Sequence, residues 1–174
     1  QDRAKNGRKG LKKLLASQYV KKSQELLSNV KQSPKLREIN GILLREVKQN
    51  TQLKVIIFVK YREMGQYLER YLNSPKHPLS QFLKAKRFVG QSTRNEDDKG
   101  MNQQQQAKII RDFSKSKFNV LIATSVAEEG LDIPSVDAVI FYDTVPSEIR
   151  LIQRRGRTGR HQPGTCYYLV TVDT

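Results

Sequence analysis

VIIFV, residues 55–59, decides how the rest of the chain is read. It is a short, unbroken apolar run, rich in β-branched residues, with polar chain on both sides. A strand wetted on one face alternates apolar and polar residues, whereas one without a polar position is covered on both faces. Strands of that kind belong to parallel sheets flanked by helices. The chain downstream agrees. Met64, Leu68 and Tyr71, with Tyr67 and Leu72 beside them, predict a helix. Residues 73–81 hold Pro75 and Pro78 and read as a loop. Residues 85–89, 119–123, 138–141 and 165–170 predict further strands. Between them, Ile109, Ile110 and Phe113 mark a helix that follows Asn102, with Gln105 placed as the third residue of a capping box. Residues 125–129 read as a short helical turn ended by Gly130, and residues 147–152 as a further helix. The alternation predicts an α/β fold: a parallel sheet sandwiched by helices.

Upstream of VIIFV the period is helical. Leu15, Tyr19, Leu26 and Val30 predict one amphipathic helix. Ser33-Pro34 then reads as a cap with proline in the first helical position. Leu36, Ile39, Leu43 and Val47 follow at spacings of three, four and four, with Arg37, Arg45 and Lys48 outside. Residues 1–32 are therefore expected to be a basic loop and helix, and 33–174 the main domain. The net charge is +15, and residues 1–50 carry +9 of it. Such an excess predicts an anionic partner, nucleic acid or a membrane surface. No apolar run approaches ~18 residues, so no membrane span is expected, and the basic N-terminus lacks the apolar core of a signal peptide. Cys166 is the sole cysteine, which excludes an internal disulfide and fits an intracellular setting. Its apolar surroundings (CYYLV) predict a buried thiol.

In parallel α/β sheets, function collects where strands end at their carboxyl side. That places Lys60-Tyr61-Arg62, Gly90-Gln91, Thr124-Ser125, Tyr142-Asp143 and the chain after Val170 at the functional edge. Three stretches there combine small, polar and charged residues. In ATSVAEEGLDIP (residues 123–134), Thr124 and Ser125 offer hydroxyls and amides where a strand becomes a helix, a favourable place for phosphate. The same residue types also cap helices. Residues 90–106 run from a polar loop into a glutamine-rich helix start. QRRGRTGR (residues 153–160) has four arginines in eight residues. On a helix, Gln153, Arg157 and Arg160 share one face, which would grip phosphate, or form a solvated basic helix end favoured by the helix dipole.

Other chemistries find no support. There is no GxxxxGK[ST] phosphate loop, and two histidines and one cysteine far apart give no metal cluster. His77, between prolines, and His161, beside the arginines, read as surface residues. Ser147 lacks a nucleophile elbow, and the tyrosines do not interleave with basic residues as a stacking platform would.

These stretches, in this order, resemble the second motor domain of superfamily-two helicases. VIIFVKYRE resembles motif IV, ATSVAEEGLDIP motif V and QRRGRTGR motif VI. Within the superfamily the chain most resembles the archaeal Hef helicases and their relatives of the Fanconi anaemia group M type. KAKRFVGQ (84–91), FNVLIATSVAEEGLDIP (118–134), FYDTVPSEIRLIQRRGRTGRH (141–161) and Pro163-Gly164 carry that closer match. The resemblance implies a RecA-like domain that closes over ATP held, with Mg2+, mainly by a first RecA-like domain of the same protein, while DNA lies across both. It matches Arg157 and Arg160 to the arginines that reach the γ-phosphate, and Gln153 to the residue ordering that network. Gly130 and Asp132 match the nucleotide-facing end of motif V, and Thr124 and Ser125 its DNA-backbone end. Lys60, Gly90, Gln91 and Gln103 lie where the group touches the DNA backbone. Val59 stands where the group often has threonine, and Asn102 and Gln104 where it more usually has serine and arginine.

The implied function is an ATP-dependent DNA helicase or translocase acting on forked or branched DNA in repair or replication restart, and inactive as an ATPase without the first domain. It would work in the cytoplasm if archaeal and in the nucleus if eukaryotic. The alternatives are a non-catalytic nucleic-acid binding module, which the charge alone would explain, and an RNA-dependent ATPase of the Dicer or RIG-I groups.

Overall fold

The computed structural model describes residues 17, 18, 22, 33–93, 100–124, 134–143 and 164–171, and every structural statement below concerns these. The chain divides into two compact units, Gln1–Arg37 and Glu38–Thr174. The predicted helix over 12–30, the turn at 125–129 and the helix before QRRGRTGR lie outside the described residues, apart from Ser17, Gln18 and Lys22.

Helix α1 (Pro34–Gln49) begins as its sequence demands. The Ser33 carbonyl accepts the Leu36 and Arg37 N–H groups (3.0 and 3.1 Å), and proline in the first position has no N–H to lose. Ile39, Leu43 and Val47 are buried, while Arg45 and Lys48 are exposed.

Strand β1 (Val55–Val59) is buried along its whole length. It is followed by α2 (Arg62–Leu72), β2 (Ala85–Phe88), α3 (Gln103–Ser114), β3 (Val120–Thr124), β4 (Ala138–Phe141) and β5 (Thr165–Tyr168). The sheet order is β2-β3-β1-β4-β5 and every pairing is parallel. β1 therefore sits at the centre, with Ile57 opposite Ile122 on one side and Ile140 on the other. Alternation then divides its side chains between two helical layers. Ile56 and Phe58 join Phe88, Leu121, Ala123 and Phe141 in a cluster closed by Phe113 of α3, and Phe58 stacks on Phe141 with ring centres 5.4 Å apart. Val59 and Ile122 face the other way, where Gly65 lets α2 lie close against them. α1 shares that second layer: Asn40 donates to the Tyr71 hydroxyl (2.6 Å), and the Tyr167 hydroxyl donates to Glu46 (2.6 Å). The hydrogen bond to Glu46 raises the Tyr167 pKa.

Side chains fix the amino-terminal ends of the strands. Asp137 accepts the Lys54 N–H (2.6 Å) and the Asn50 amide (3.2 Å). Asn73 bonds both the N–H and the carbonyl of Ala85, each at 2.9 Å. Asn119 accepts the Lys84 N–H and donates to the Phe82 carbonyl.

The α/β architecture is as expected, with shifts at strand ends: β2 stops at Phe88, β3 starts at Val120 and includes Thr124, and β5 stops at Tyr168. Two expectations are corrected. Cys166 is exposed: β5 is an outer strand of the described sheet, and three of its four residues are exposed; partial desolvation nevertheless raises the Cys166 thiol pKa. His77 is not a surface residue but is 4% exposed. Turns over residues 73–82 fold it inward, so that Nε2 meets Asn40 Oδ1 (3.0 Å), Nδ1 accepts the Leu79 N–H (3.2 Å), and the ring meets the edge of Tyr71.

Desolvation lowers the His77 pKa below its ordinary value of 6.5. Below pH 6.5 the unfolded chain then binds more protons at this site than the folded chain does, so stability falls as pH drops through 6.5 toward the folded pKa. The urea midpoint of the chain should decline between pH 7.5 and 5.5, and His77→Gln should flatten the decline. An identical decline in the variant would assign the effect to other groups.

Candidate nucleic-acid interface at the carboxyl edge of the sheet

Parallel pairing sends β1, β2 and β3 to the same edge of the sheet. Val59 is the register partner of Thr124, and Phe88 of Ala123, so Lys60, Val89-Gly90 and Thr124 are carried side by side on adjacent strands. Lys60 is exposed and its backbone is fixed, its N–H donating to Asp143 Oδ2 at 3.0 Å beyond the end of β4. Its ammonium lies 5.2 Å from the centre of the Tyr61 ring, which is 54% exposed. Sequence reasoning missed this pairing. A lysine followed directly by an exposed tyrosine at a strand end was its only signal.

Thr124 is the anomaly of the edge. Its side chain is buried, 3% exposed, and its Oγ1 has no hydrogen-bond partner among the described residues. A buried hydroxyl left unpaired costs about 1–3 kcal/mol. A core position in β3 would normally be filled by valine, which has the same shape without the cost.

The chain after β2 is tied to the start of α3. Gly90 is buried, and its carbonyl accepts the Met101 N–H at 3.0 Å. Gln106 donates to the Val89 carbonyl at 3.0 Å. Asn102 caps α3 by accepting the Gln105 N–H (2.8 Å), while Gln105 Oε1 accepts the Asn102 N–H (2.9 Å), completing the predicted capping box. Asn102 thus fills the capping role of a serine. Gly90, Gln91 and Gln103 are thereby gathered at one neck, with Gln91 and Gln103 exposed. Arg62, the first residue of α2, reaches the same neck: it donates to the carbonyl of Ser92 (2.6 Å), the carbonyl of Gly90 (3.2 Å) and the Ser92 hydroxyl (3.0 Å).

The structure therefore brings together Lys60, Gly90, Gln91, Gln103 and Thr124. Ser125, Gly130, Asp132, Gln153, Arg157, Arg160 and His161 lie outside the described residues. Among the described residues no group of three or more histidines, cysteines and acids is placed to hold a metal ion. No described helix is long and apolar enough to cross a membrane.

A family model described as the helicase conserved C-terminal domain matches residues 34–162. The helicase domain of Hef from Pyrococcus furiosus superposes with a TM-score of 0.71 at 40% identity, over 94% of this chain and 32% of that one. A Methanocaldococcus jannaschii protein provisionally named an ATP-dependent RNA helicase is 39% identical over 168 residues, which is 95% of this chain and 20% of the relative. The ATP-dependent DNA helicase MPH1 of Pyricularia oryzae is 36% identical over 173 residues, 94% of this chain and 15% of the relative. The chain thus spans a fifth or less of the length of these curated relatives.

Replacing Thr124 by valine should stabilise the chain by about 1 kcal/mol, since it deletes an unpaired buried hydroxyl at constant shape. Urea denaturation reads this directly. A variant less stable than the parent would mean that the hydroxyl has a partner in the folded chain.

Proposed function

We propose, for a chain that belongs to the helicase conserved C-terminal domain family, that it is the second motor domain of an ATP-dependent DNA helicase or translocase. The observation that supports the reading is the parallel register, which delivers the exposed Lys60, Gln91 and Gln103 to one edge beside Gly90 and Thr124. The phosphates of a nucleic-acid backbone would pass over these exposed cationic and amide groups. Phosphate contacts hold a protein in register on nucleic acid without reading its sequence, which suits a motor.

In this reading Lys60, Gly90, Gln91, Gln103, Thr124 and Ser125 grip the DNA backbone. Gly130 and Asp132 face the nucleotide, and Gln153, Arg157 and Arg160 approach its terminal phosphate when the two motor domains close. ATP and Mg2+ are held mainly by the N-terminal RecA-like domain; the metal supplies charge neutralisation at the phosphates. The arginines add their charge only in the closed state, so closure and hydrolysis are coupled. Repeated closing and opening then moves the backbone grip along DNA. Forked or branched DNA is the substrate class that the Hef and Fanconi anaemia group M resemblance supports, and the site of action is intracellular.

The provisional name of the Methanocaldococcus relative favours one alternative, an RNA-stimulated ATPase. In the full-length enzyme, Arg157→Ala and Arg160→Ala should each retain DNA binding and lose DNA-stimulated ATP hydrolysis by roughly 10³-fold or more, the order of effect of a supplied arginine. Near-parental turnover in both variants would remove the arginines from the reaction. Greater stimulation of the parent by double-stranded RNA than by forked DNA would favour the alternative.

A further inference from the structure

We propose that Arg62 is a positioning residue of the nucleic-acid interface: it orients and polarises the Gly90–Gln91 peptide so that the Gln91 N–H is presented to a backbone phosphate. The inference rests on the carboxyl edge being the nucleic-acid surface.

Arg62 is 4% exposed, and burying a guanidinium is unfavourable unless its donors are satisfied. Here they are satisfied in part by one short stretch, the carbonyls of Gly90 and Ser92 and the Ser92 hydroxyl. Two inward-turned carbonyls, two residues apart, hold the intervening Gln91 at the surface, where it is exposed. Planar guanidinium can hold both carbonyls at once; the point charge of a lysine cannot hold them in the same geometry.

Polarisation follows from the same contacts. The Gly90 carbonyl accepts twice, from Arg62 Nη2 and from the Met101 N–H. Gly90 C=O and Gln91 N–H belong to one peptide group, and hydrogen bonds to the carbonyl strengthen the N–H as a donor. That N–H donates to no other described residue. A charge-assisted acceptor such as phosphate would gain most from it.

Two further features restrain the peptide. A Cβ added at Gly100 would lie 2.0 Å from the Gln91 carbonyl oxygen, so only glycine fits against the adjoining Gln91–Ser92 peptide, which fixes Gln91 from its carboxyl side. The Arg87 N–H and Nε both donate to Glu69 (3.2 and 2.9 Å), tying β2 to α2 and setting the distance across which Arg62 reaches.

The test uses the 15N-labelled 174-residue chain titrated with forked DNA. In the parent, the amide resonances of Lys60, Gln91 and Thr124 should all move. In Arg62→Lys, which keeps the charge, the Gln91 response should be lost and affinity should fall about fivefold, the scale of one hydrogen bond. Lys60 and Thr124 should still respond, which a global loss of structure would not allow. Gly100→Ala, which displaces the adjoining Gln91–Ser92 peptide and with it Gln91, should reproduce this pattern and add little to Arg62→Lys in the double variant. An undiminished Gln91 response with parental affinity in Arg62→Lys would overturn the proposal. So would full additivity of the two substitutions. If none of the three amides moves in the parent, the assignment of the edge to nucleic acid fails, and the proposal with it.

Discussion

Burial of β1 on both faces is the constraint from which the rest of the structure follows. Five successive apolar side chains leave no wet face, so both layers must be filled, by Phe113 of α3 and the nearby Phe118 on one side and by α1 and α2 on the other. Each fully buried side chain of this kind is worth about 1.5–3 kcal/mol. Helices on both faces in turn require crossover connections, and crossovers make neighbouring strands parallel. Parallel strands all end at the same edge. The gathering of Lys60, Gly90 and Thr124 is thus a consequence of how Ile56, Ile57 and Phe58 are covered.

The two edges of the sheet are treated differently. At the amino-terminal edge Asp137, Asn73 and Asn119 saturate strand-end backbone groups with hydrogen bonds. At the carboxyl edge a threonine hydroxyl is buried without a partner among the described residues, and the Gln91 N–H points to no described acceptor. Backbone and side-chain donors are thus closed off at one edge and, among the described residues, left open at Gln91 on the other.

Much of this was legible in the sequence because it depends on local signals. VIIFV and AVIF are read directly as strands, and Asn102 with Gln105 marks a helix start three residues in advance. The strand-end rule placed Lys60, Gly90, Gln91 and Thr124 at one edge before their register was known. What escaped depends on tertiary contacts. His77 stands between prolines in a polar loop, yet the turns of that loop deliver it to Asn40 and Tyr71, residues 37 and 6 positions away. Cys166 sits in an apolar run, but an apolar run in an outermost strand is not a buried one. Arg62 reads as one more surface cation at a helix start; only the path of the chain after β2 puts three hydrogen-bond acceptors around it. The Lys60–Tyr61 contact likewise depends on a side-chain conformation that spacing does not encode.

Family membership and the fold agree on a helicase C-terminal domain with a RecA-like sheet. The central claim for this chain is that its grip on DNA lies at the carboxyl edge of the sheet. Hydrogen exchange of the chain with and without forked DNA tests it most directly. Bound DNA should slow exchange in peptides covering residues 60–62, 89–93 and 101–106, and leave residues 73–84 and 116–119 at the opposite edge unchanged. Protection confined to the opposite edge, or to the basic residues 1–32, would contradict the account.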